Sequence, residues 1–453
     1  VRYDGLEVLV IGMARSGVAV AELLHDLGAR VTINDAKPED QLGDDVRRLR
    51  DKGIRVVGGG HPPELIHENV DLMVKNPVVK YSAAPVELAL SRGIPIVTEV
   101  EIAYQATKAP IIGITGSNGK TTTTALTGLM LENSHVSSMV AGNIGIAMSK
   151  AVRDWTPGQW IVDELSSFQL LGIQTFRTRI AAILNIYPAH LDYHGTMDEY
   201  MDAKWRIFEN QTSDDFAVLN ADQPQLWERR GELRSTVLGF SVKQPLSQGA
   251  FVRGDRLMVR IGEEERDITA IGDIALPGMQ NLENALAATV LSLLAGCHVE
   301  GIRKSLREFT GVEHRLEFVK IVDGATYVND SKATNMQAAA TALKSYDHPI
   351  IWIAGGQDRG AGHDFAELVP LISERVKAVV AIGEAASKVC DAASEAGISR
   401  VLRVVSMDEA VCAAHSYASK GDIVLLSPAC ASWDMFTRFE ERGRMFKEAV
   451  HRL

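Results

Sequence analysis

Short apolar runs recur along the chain, each closed by a polar or glycine-rich turn and followed by a stretch of helical periodicity. Such runs read as buried parallel strands, and the periodic stretches as the helices that cross between them. The first run, Glu7-Val-Leu-Val-Ile-Gly12, leads into a helix over 16–27 and a second strand, Ala29-Arg-Val-Thr-Ile-Asn-Asp35. Strands are then expected at 55–58, 71–75 and 94–98, at 111–114, 160–164 and 179–185, and at 326–329, 349–354, 378–382 and 422–426. The pattern predicts an α/β fold of three domains. A Rossmann-like N-terminal domain spans 1–98, a central P-loop mononucleotide-binding domain 99–311, and a Rossmann-like C-terminal domain 312–453. Within the central block, Thr196-Met-Asp-Glu199 has the form of a capping box, so a helix should start there. Met197, Tyr200, Met201, Ile207 and Phe208 share one face of it, and Lys204 falls in the middle of that face. From the pattern alone, a lysine snorkelling along its methylene stem and a functional lysine are equally open.

Composition narrows the class. The 453 residues are 46% hydrophobic and 23% charged, as in soluble globular proteins, and are too many for one ordinary core. No apolar run reaches the length of a membrane span, and no signal peptide is read before the first strand; no membrane partner and a cytoplasmic location are expected. Cys297, Cys390, Cys412 and Cys430 lack C-x-x-C spacing, which argues for reduced thiols rather than a zinc site or a disulfide framework. A net charge of −11 without a basic block argues against a nucleic-acid partner. An acidic protein that binds anions must gather its positive groups locally.

One stretch does so. After the run Ile111-Ile-Gly-Ile114 comes the glycine-rich turn Gly116-Ser-Asn-Gly119, then Lys120, Thr121 and Thr122 at the start of a helical pattern. Glycines let backbone amides approach a phosphate, the helix N-terminus adds partial positive charge, and the lysine reaches the outer phosphates. A hydroxyl at Thr121 stands where phosphate-bound Mg²⁺ is usually held. The strict G-x-x-x-x-G-K-[ST] spacing is missed by one residue, since Gly113 sits one place early. By contrast, Gly12-Met-Ala-Arg-Ser-Gly17 has alanine at the second glycine of the dinucleotide fingerprint, which weakens an NAD reading.

Other candidates lie at strand ends. Glu164 closes an apolar run with a hard oxygen ligand for Mg²⁺, and His190 follows the next strand. In the last block, Lys332 and Arg359 are expected to close neighbouring strands, as a cleft for an anion would require.

Gly116-Ser-Asn-Gly-Lys-Thr-Thr122, Glu164-Leu-Ser-Ser-Phe-Gln-Leu170, His314-Arg315, Asn329-Asp-Ser-Lys-Ala-Thr-Asn335 and Ser427-Pro-Ala-Cys-Ala-Ser-Trp-Asp-Met-Phe436 together resemble the Mur ligase family, in that family's order and across most of the chain. The resemblance is nearest to its D-glutamate-adding members. It implies an ATP-dependent carboxylate–amine ligase joining D-glutamate to UDP-N-acetylmuramoyl-L-alanine through an acyl phosphate and a tetrahedral intermediate, with a monomer expected. It further implies that Lys120 and the amides of Gly116, Ser117, Asn118, Gly119, Thr121 and Thr122 hold the β,γ-phosphates. Thr121 would bind one Mg²⁺, and Glu164, His190 and Lys204, the last as a CO₂-derived carbamate, would bind a second. Asn143 would sit near the reacting carboxylate. Asn281 and Asn284 would contact adenine, Asp330 ribose, and Arg315 a phosphate. Lys332, Thr334, Arg359, Ser432 and Phe439 would form the D-glutamate pocket; Arg15, Ser16, Asp35 and Lys37 would form the uridine site.

The chain departs from the family pattern at Val78, where glycine is usual near the pyrophosphate, at Gln280 for a usual histidine, and at Arg359 where some relatives carry lysine. Three rival functions differ in testable ways: a dehydrogenase using the N-terminal fold for NAD, a folate-extending ligase whose substrate carries no UDP, and a nucleotide-binding regulator without catalysis.

Overall fold

Each expected apolar run forms a strand because its β-branched residues pack well on a pleated, two-sided core. The computed structural model describes residues 3–143, 146–346, 348–358, 360 and 365–453. Strands β1 (Glu7–Ile11), β2 (Arg30–Asn34), β3 (Arg55–Val57), β4 (Leu72–Lys75) and β5 (Ile96–Val97) form an all-parallel sheet in the order β3-β2-β1-β4-β5. Strand order reverses between β1 and β4, so the crevice for a ligand lies at the carboxyl ends of those two strands.

The second sheet begins with β6 (Ile111–Thr115), fully buried, β7 (Ser138–Gly142), β8 (Trp160–Glu164) and β9 (Ile180–Ile183). It continues through β10 (Phe216–Asn220), β11 (Thr236–Ser241), β12 (Gly249–Arg253), β13 (Arg256–Ile261) and β14 (Glu264–Ala270), in the order β14-β13-β12-β11-β10-β9-β6-β8-β7. The last three strands turn antiparallel. None of the five strands over 216–270 was marked by the apolar pattern; the exposed outer strand Glu-Glu-Arg-Asp-Ile-Thr-Ala is too polar to read as one.

The third sheet is β15 (Glu317–Val322), β16 (Ala325–Asn329), β17 (Ile350–Ala354), β18 (Val376–Ile382), β19 (Val401–Val404) and β20 (Ile423–Leu426), in the order β15-β16-β20-β17-β18-β19. This corrects one expectation. The strands that precede Lys332 and Arg359, β16 and β17, are not neighbours, because β20 pairs between them. The late strand inserts centrally, an order that local pattern cannot reveal.

The chain divides into two compact units, Val1–Phe309 with the first two sheets and Thr310–Leu453 with the third. Among the described residues, no helix is long and apolar enough to cross a membrane.

Candidate active site

The phosphate loop follows β6 and opens the helix Lys120–Asn133. Gly119 sits in the left-handed region (φ 79°), and a Cβ there would lie 2.1 Å from Oδ1 of Asn284. Glycine is therefore required both for the turn and for the approach of the helix Met279–Leu294. Asn284 in turn accepts from the Thr123 hydroxyl (3.3 Å) and donates to Asn281 (3.4 Å). The loop is braced from β9: the Ser117 amide donates to the Asn185 carbonyl, and the Asn118 amide to the Asn185 side chain (2.8 Å), which donates back to the Asn118 carbonyl (3.2 Å). Strand 179–185 was expected to be continuous, but the ladder ends at Ile183, the Leu184 amide still reaches the Thr115 carbonyl, and Asn185 turns to make this brace. Neither Asn185 nor Tyr200, whose hydroxyl meets Ser117 Oγ at 3.1 Å, was singled out from sequence.

Beside the loop, Thr121 Oγ1 donates to Glu164 Oε2 (2.8 Å), and Asn143 Nδ2 donates to Glu164 Oε1 (3.3 Å). Glu164 is wholly buried, as is its neighbour Asp163. Among the described residues, neither carboxyl oxygen of Asp163 has a hydrogen-bond partner. Burial first, then Glu99 and Glu164, push its pKa well above the usual carboxylate range.

Lys204 is not snorkelling. It is 2% exposed on the helix Met197–Trp205, which starts at the expected capping box. Its ammonium donates to the Gly116 carbonyl at 2.9 Å, and Lys120 donates to the same oxygen at 2.8 Å. Burial, then this second ammonium, hold the Lys204 pKa well below the usual lysine range, against the pull of Glu164. His190 adopts a left-handed conformation (φ 56°) at the start of the helix Leu191–His194, its ring 5.0 Å from Phe168 and 6.4 Å from Tyr200.

At the first sheet's switch point, the Asp35 carboxylate accepts from the Met13 amide (2.7 Å) and the Lys37 amide (2.9 Å), fixing the loop after β1. Ser16 lies in the first turn of the helix Arg15–Asp26. Arg15 reaches across to the carbonyls of Gly142 and Asn143, both at 3.2 Å.

In the second unit, Asp330 follows β16 and accepts from the Ser427 hydroxyl (2.8 Å) and the Leu316 amide (3.2 Å). Burial raises its pKa to about 7, while Ser427, Leu316 and Arg315 pull it back. Lys332 is exposed, its ammonium 6.0 Å from the Phe439 ring centroid; the Thr334 amide donates to the Lys332 carbonyl; Ser432 is buried. Arg359 lies outside the described residues. A residue not foreseen from sequence joins the two loops. Arg442, fully buried on the helix Phe439–Arg452, donates to Ser331 Oγ (3.0 Å), the Ser331 carbonyl (2.8 Å) and the Cys430 carbonyl (3.1 Å).

A parallel sheet ending in this anion loop, with a lysine folded over it and a hydroxyl–carboxylate pair beside it, defines a nucleotide-dependent phosphoryl-transfer enzyme. The Mur ligase middle domain matches residues 114–292, and the Mur ligase, glutamate ligase domain matches 314–430. The UDP-N-acetylmuramoylalanine–D-glutamate ligase of Geobacillus kaustophilus is 48% identical over all of this chain and 98% of its own length. The chain belongs to the Mur ligase family. Its fold is shared with a pseudomurein peptide ligase type C from Methanothermus fervidus (19% identity, TM-score 0.52, covering 99% of this chain and 100% of that one). It is shared also with a MurF ligase from Thermotoga maritima in complex with ADP (15% identity, TM-score 0.52, covering 99% of this chain and 96% of that one).

Proposed function

We propose that this chain joins D-glutamate to UDP-N-acetylmuramoylalanine at the expense of ATP, the reaction named for its full-length relatives. The observation that carries the reading is the hydrogen-bonded run Thr121–Glu164–Asn143 beside a glycine cradle whose Gly119 leaves no room for a Cβ against Asn284. That donor set, a hydroxyl and a buried carboxylate, suits a hard divalent cation, and the cradle suits a phosphate. When bound, ATP with Mg²⁺ supplies the activating phosphoryl group and neutralises the charge that gathers in its transfer.

The remaining work falls to the chain. Residues 99–311 hold the nucleotide: Lys120 and the amides of the 116–122 loop, except those of Ser117 and Asn118, which Asn185 already holds, take the outer phosphates, and Asn281 and Asn284 take the base. Thr121 is assigned to one Mg²⁺, and Glu164, His190 and Lys204 to a second. An ammonium in that second set would repel the metal. A neutral lysine amine would add CO₂ through a new N–C bond and release one N–H proton to solvent, leaving an anionic carbamate oxygen ligand where an ammonium would stand, and the burial of Lys204 favours the neutral amine. Asn143, already on Glu164, orients the substrate carboxylate. Residues 1–98 take the UDP moiety through Arg15, Ser16, Asp35 and Lys37. Residues 312–453 take D-glutamate through Lys332, Thr334, Arg359, Ser432 and Phe439, with Asp330 and Arg315 on the nucleotide. We assign the protein as a monomer of the cytoplasm. Phosphate release from ATP should require UDP-N-acetylmuramoylalanine and D-glutamate together; equal release with either omitted would overturn the reading.

A further inference from the structure

The segments that carry Glu164, His190 and Lys204 meet at a small aromatic cluster. The helix Ser167–Leu170 begins shortly after Glu164, the helix Leu191–His194 directly after His190, and Tyr200 lies one turn before Lys204 on the helix Met197–Trp205. His194 joins all three. It is buried, and its Nε2 meets Ser167 Oγ at 2.9 Å, a bond between two turns distant in sequence. Its ring stacks on Phe168, with centroids 5.3 Å apart and planes at 17°, and lies 5.2 Å from the ring of Tyr200. Phe168 in turn meets the His190 imidazole edge to face at 5.0 Å, and the Lys204 ammonium lies 4.7 Å from the Tyr200 ring centroid.

His190 depends on such support. It is exposed and left-handed (φ 56°), a conformation that a residue with a Cβ keeps only where its surroundings over-determine it. The one-turn helix that follows it is too short to be stable on its own. Phe168 supplies the imidazole with a wall, and Phe168 is itself packed against the rings of His194 and Tyr193, the latter at 4.6 Å. The bond to Ser167 fixes His194 and, through it, this stack. Glu164 is already set by the ladder of β8 and by Thr121. What remains to be set is where His190 stands relative to it, and the Ser167–His194 bond links the two turns directly.

We infer that His194 is a positioning residue: with Ser167 and Phe168 it holds the His190 imidazole where it and Glu164 can share a second divalent cation. The inference rests on the reading of Glu164, His190 and Lys204 as the ligands of that cation. Titration of the full chain with Mn²⁺ tests it, in bicarbonate with a non-hydrolysable ATP analogue and UDP-N-acetylmuramoylalanine, free Mn²⁺ being read by electron paramagnetic resonance. The wild type should bind two ions, and His190→Ala should lose one of them, which identifies the second site. His194→Phe, which keeps a stacking ring, and Ser167→Ala should each weaken that same ion about tenfold, the scale of losing one buried hydrogen bond, and leave the other unmoved. The double variant should lose no more than either single one, because both break the same bond. His194→Gln, whose amide can still meet Ser167, should recover part of the loss. In turnover, kcat should fall in His194→Phe and Ser167→Ala with the KM for ATP unmoved. Should His194→Phe fail to fold, Ser167→Ala, which removes a single oxygen, carries the comparison. Second-ion binding at wild-type strength in Ser167→Ala, equal weakening of both ions, or additive losses in the double variant overturn the inference alone. A wild-type chain that binds one ion, or a His190→Ala chain that keeps both, overturns the underlying reading as well.

Discussion

Arg442→Met should loosen the two loops that flank Asp330 by an amount the structure lets one work out. The guanidinium makes three hydrogen bonds of ordinary length, to Ser331 Oγ, Ser331 O and Cys430 O, and a fourth contact to Ala431 O at 3.4 Å that is too long to count. Bonds from a charged donor are worth about 1.5–3 kcal/mol each, and here their loss strands buried carbonyls. Against this, the mutation relieves the burial of the guanidinium. Burial holds the Arg442 pKa down to about 10, a penalty of roughly 3 kcal/mol at about 1.4 kcal/mol per pH unit. Three such bonds less that penalty leave a loss of about 1.5–6 kcal/mol, which spans the range seen when one partner of a buried polar network is removed. Hydrogen exchange of the full chain, read by mass spectrometry on peptides spanning 427–443, measures the local opening free energy without assuming that the whole chain unfolds at once. Arg442→Lys, with one compact donor group in place of the fork, should fall between. A change below about 1 kcal/mol in Arg442→Met would refute the reasoning, because the buried carbonyls would then have other partners.

Three further outcomes follow from the site. Lys204→Arg should keep the fold and lose most activity, since a guanidinium stays charged and forms no carbamate; wild-type protein equilibrated with ¹³C-bicarbonate should show a carbamate carbon signal that Lys204→Ala lacks, and a fully active Arg variant would refute the assignment. Glu164→Gln preserves the shape of the Thr121–Asn143 run but removes its charge, and should cut phosphate release at least about a hundredfold, the scale of losing an electrostatic stabiliser; a tenfold or smaller loss would remove Glu164 from the metal. Asp330 keeps its proton to about pH 7 when folded, against about 4 for a free aspartate, so between those values the folded state binds more protons and its stability falls as pH rises. Urea melts of the second unit's transition should therefore lose up to about 1.4 kcal/mol per pH unit across that window, and Asp330→Asn should flatten the slope; an unchanged slope in the variant would count against the buried proton.

The parts of the site that sequence revealed are those whose chemistry is local. Gly119, Lys120 and Thr121 are contiguous, and the strand before and helix after them are written in the same short stretch. The capping box at Thr196 is equally local, and the mid-stripe position of Lys204 marked it as odd, although only its burial against Gly116 excluded a snorkelling lysine. What escaped notice works at a distance. Asn185 braces the loop from sixty-seven positions away, and Arg442 reaches Ser331 across one hundred and eleven. Both residue types are ordinary on a surface, so no pattern distinguishes them. The separation of β16 from β17 depends on where the last strand inserts, which is a property of the assembled sheet and not of either strand.

Selection of D-glutamate for addition to a UDP-linked alanyl carboxylate is tested most directly by supplying ATP, Mg²⁺ and UDP-N-acetylmuramoylalanine with D-glutamate, L-glutamate, L-lysine or meso-diaminopimelate in turn and weighing the nucleotide-sugar product by mass spectrometry. One new product, heavier by a glutamyl residue, is expected with D-glutamate alone. A product carrying lysine or diaminopimelate, or none with D-glutamate under conditions where ATP is consumed, would contradict it.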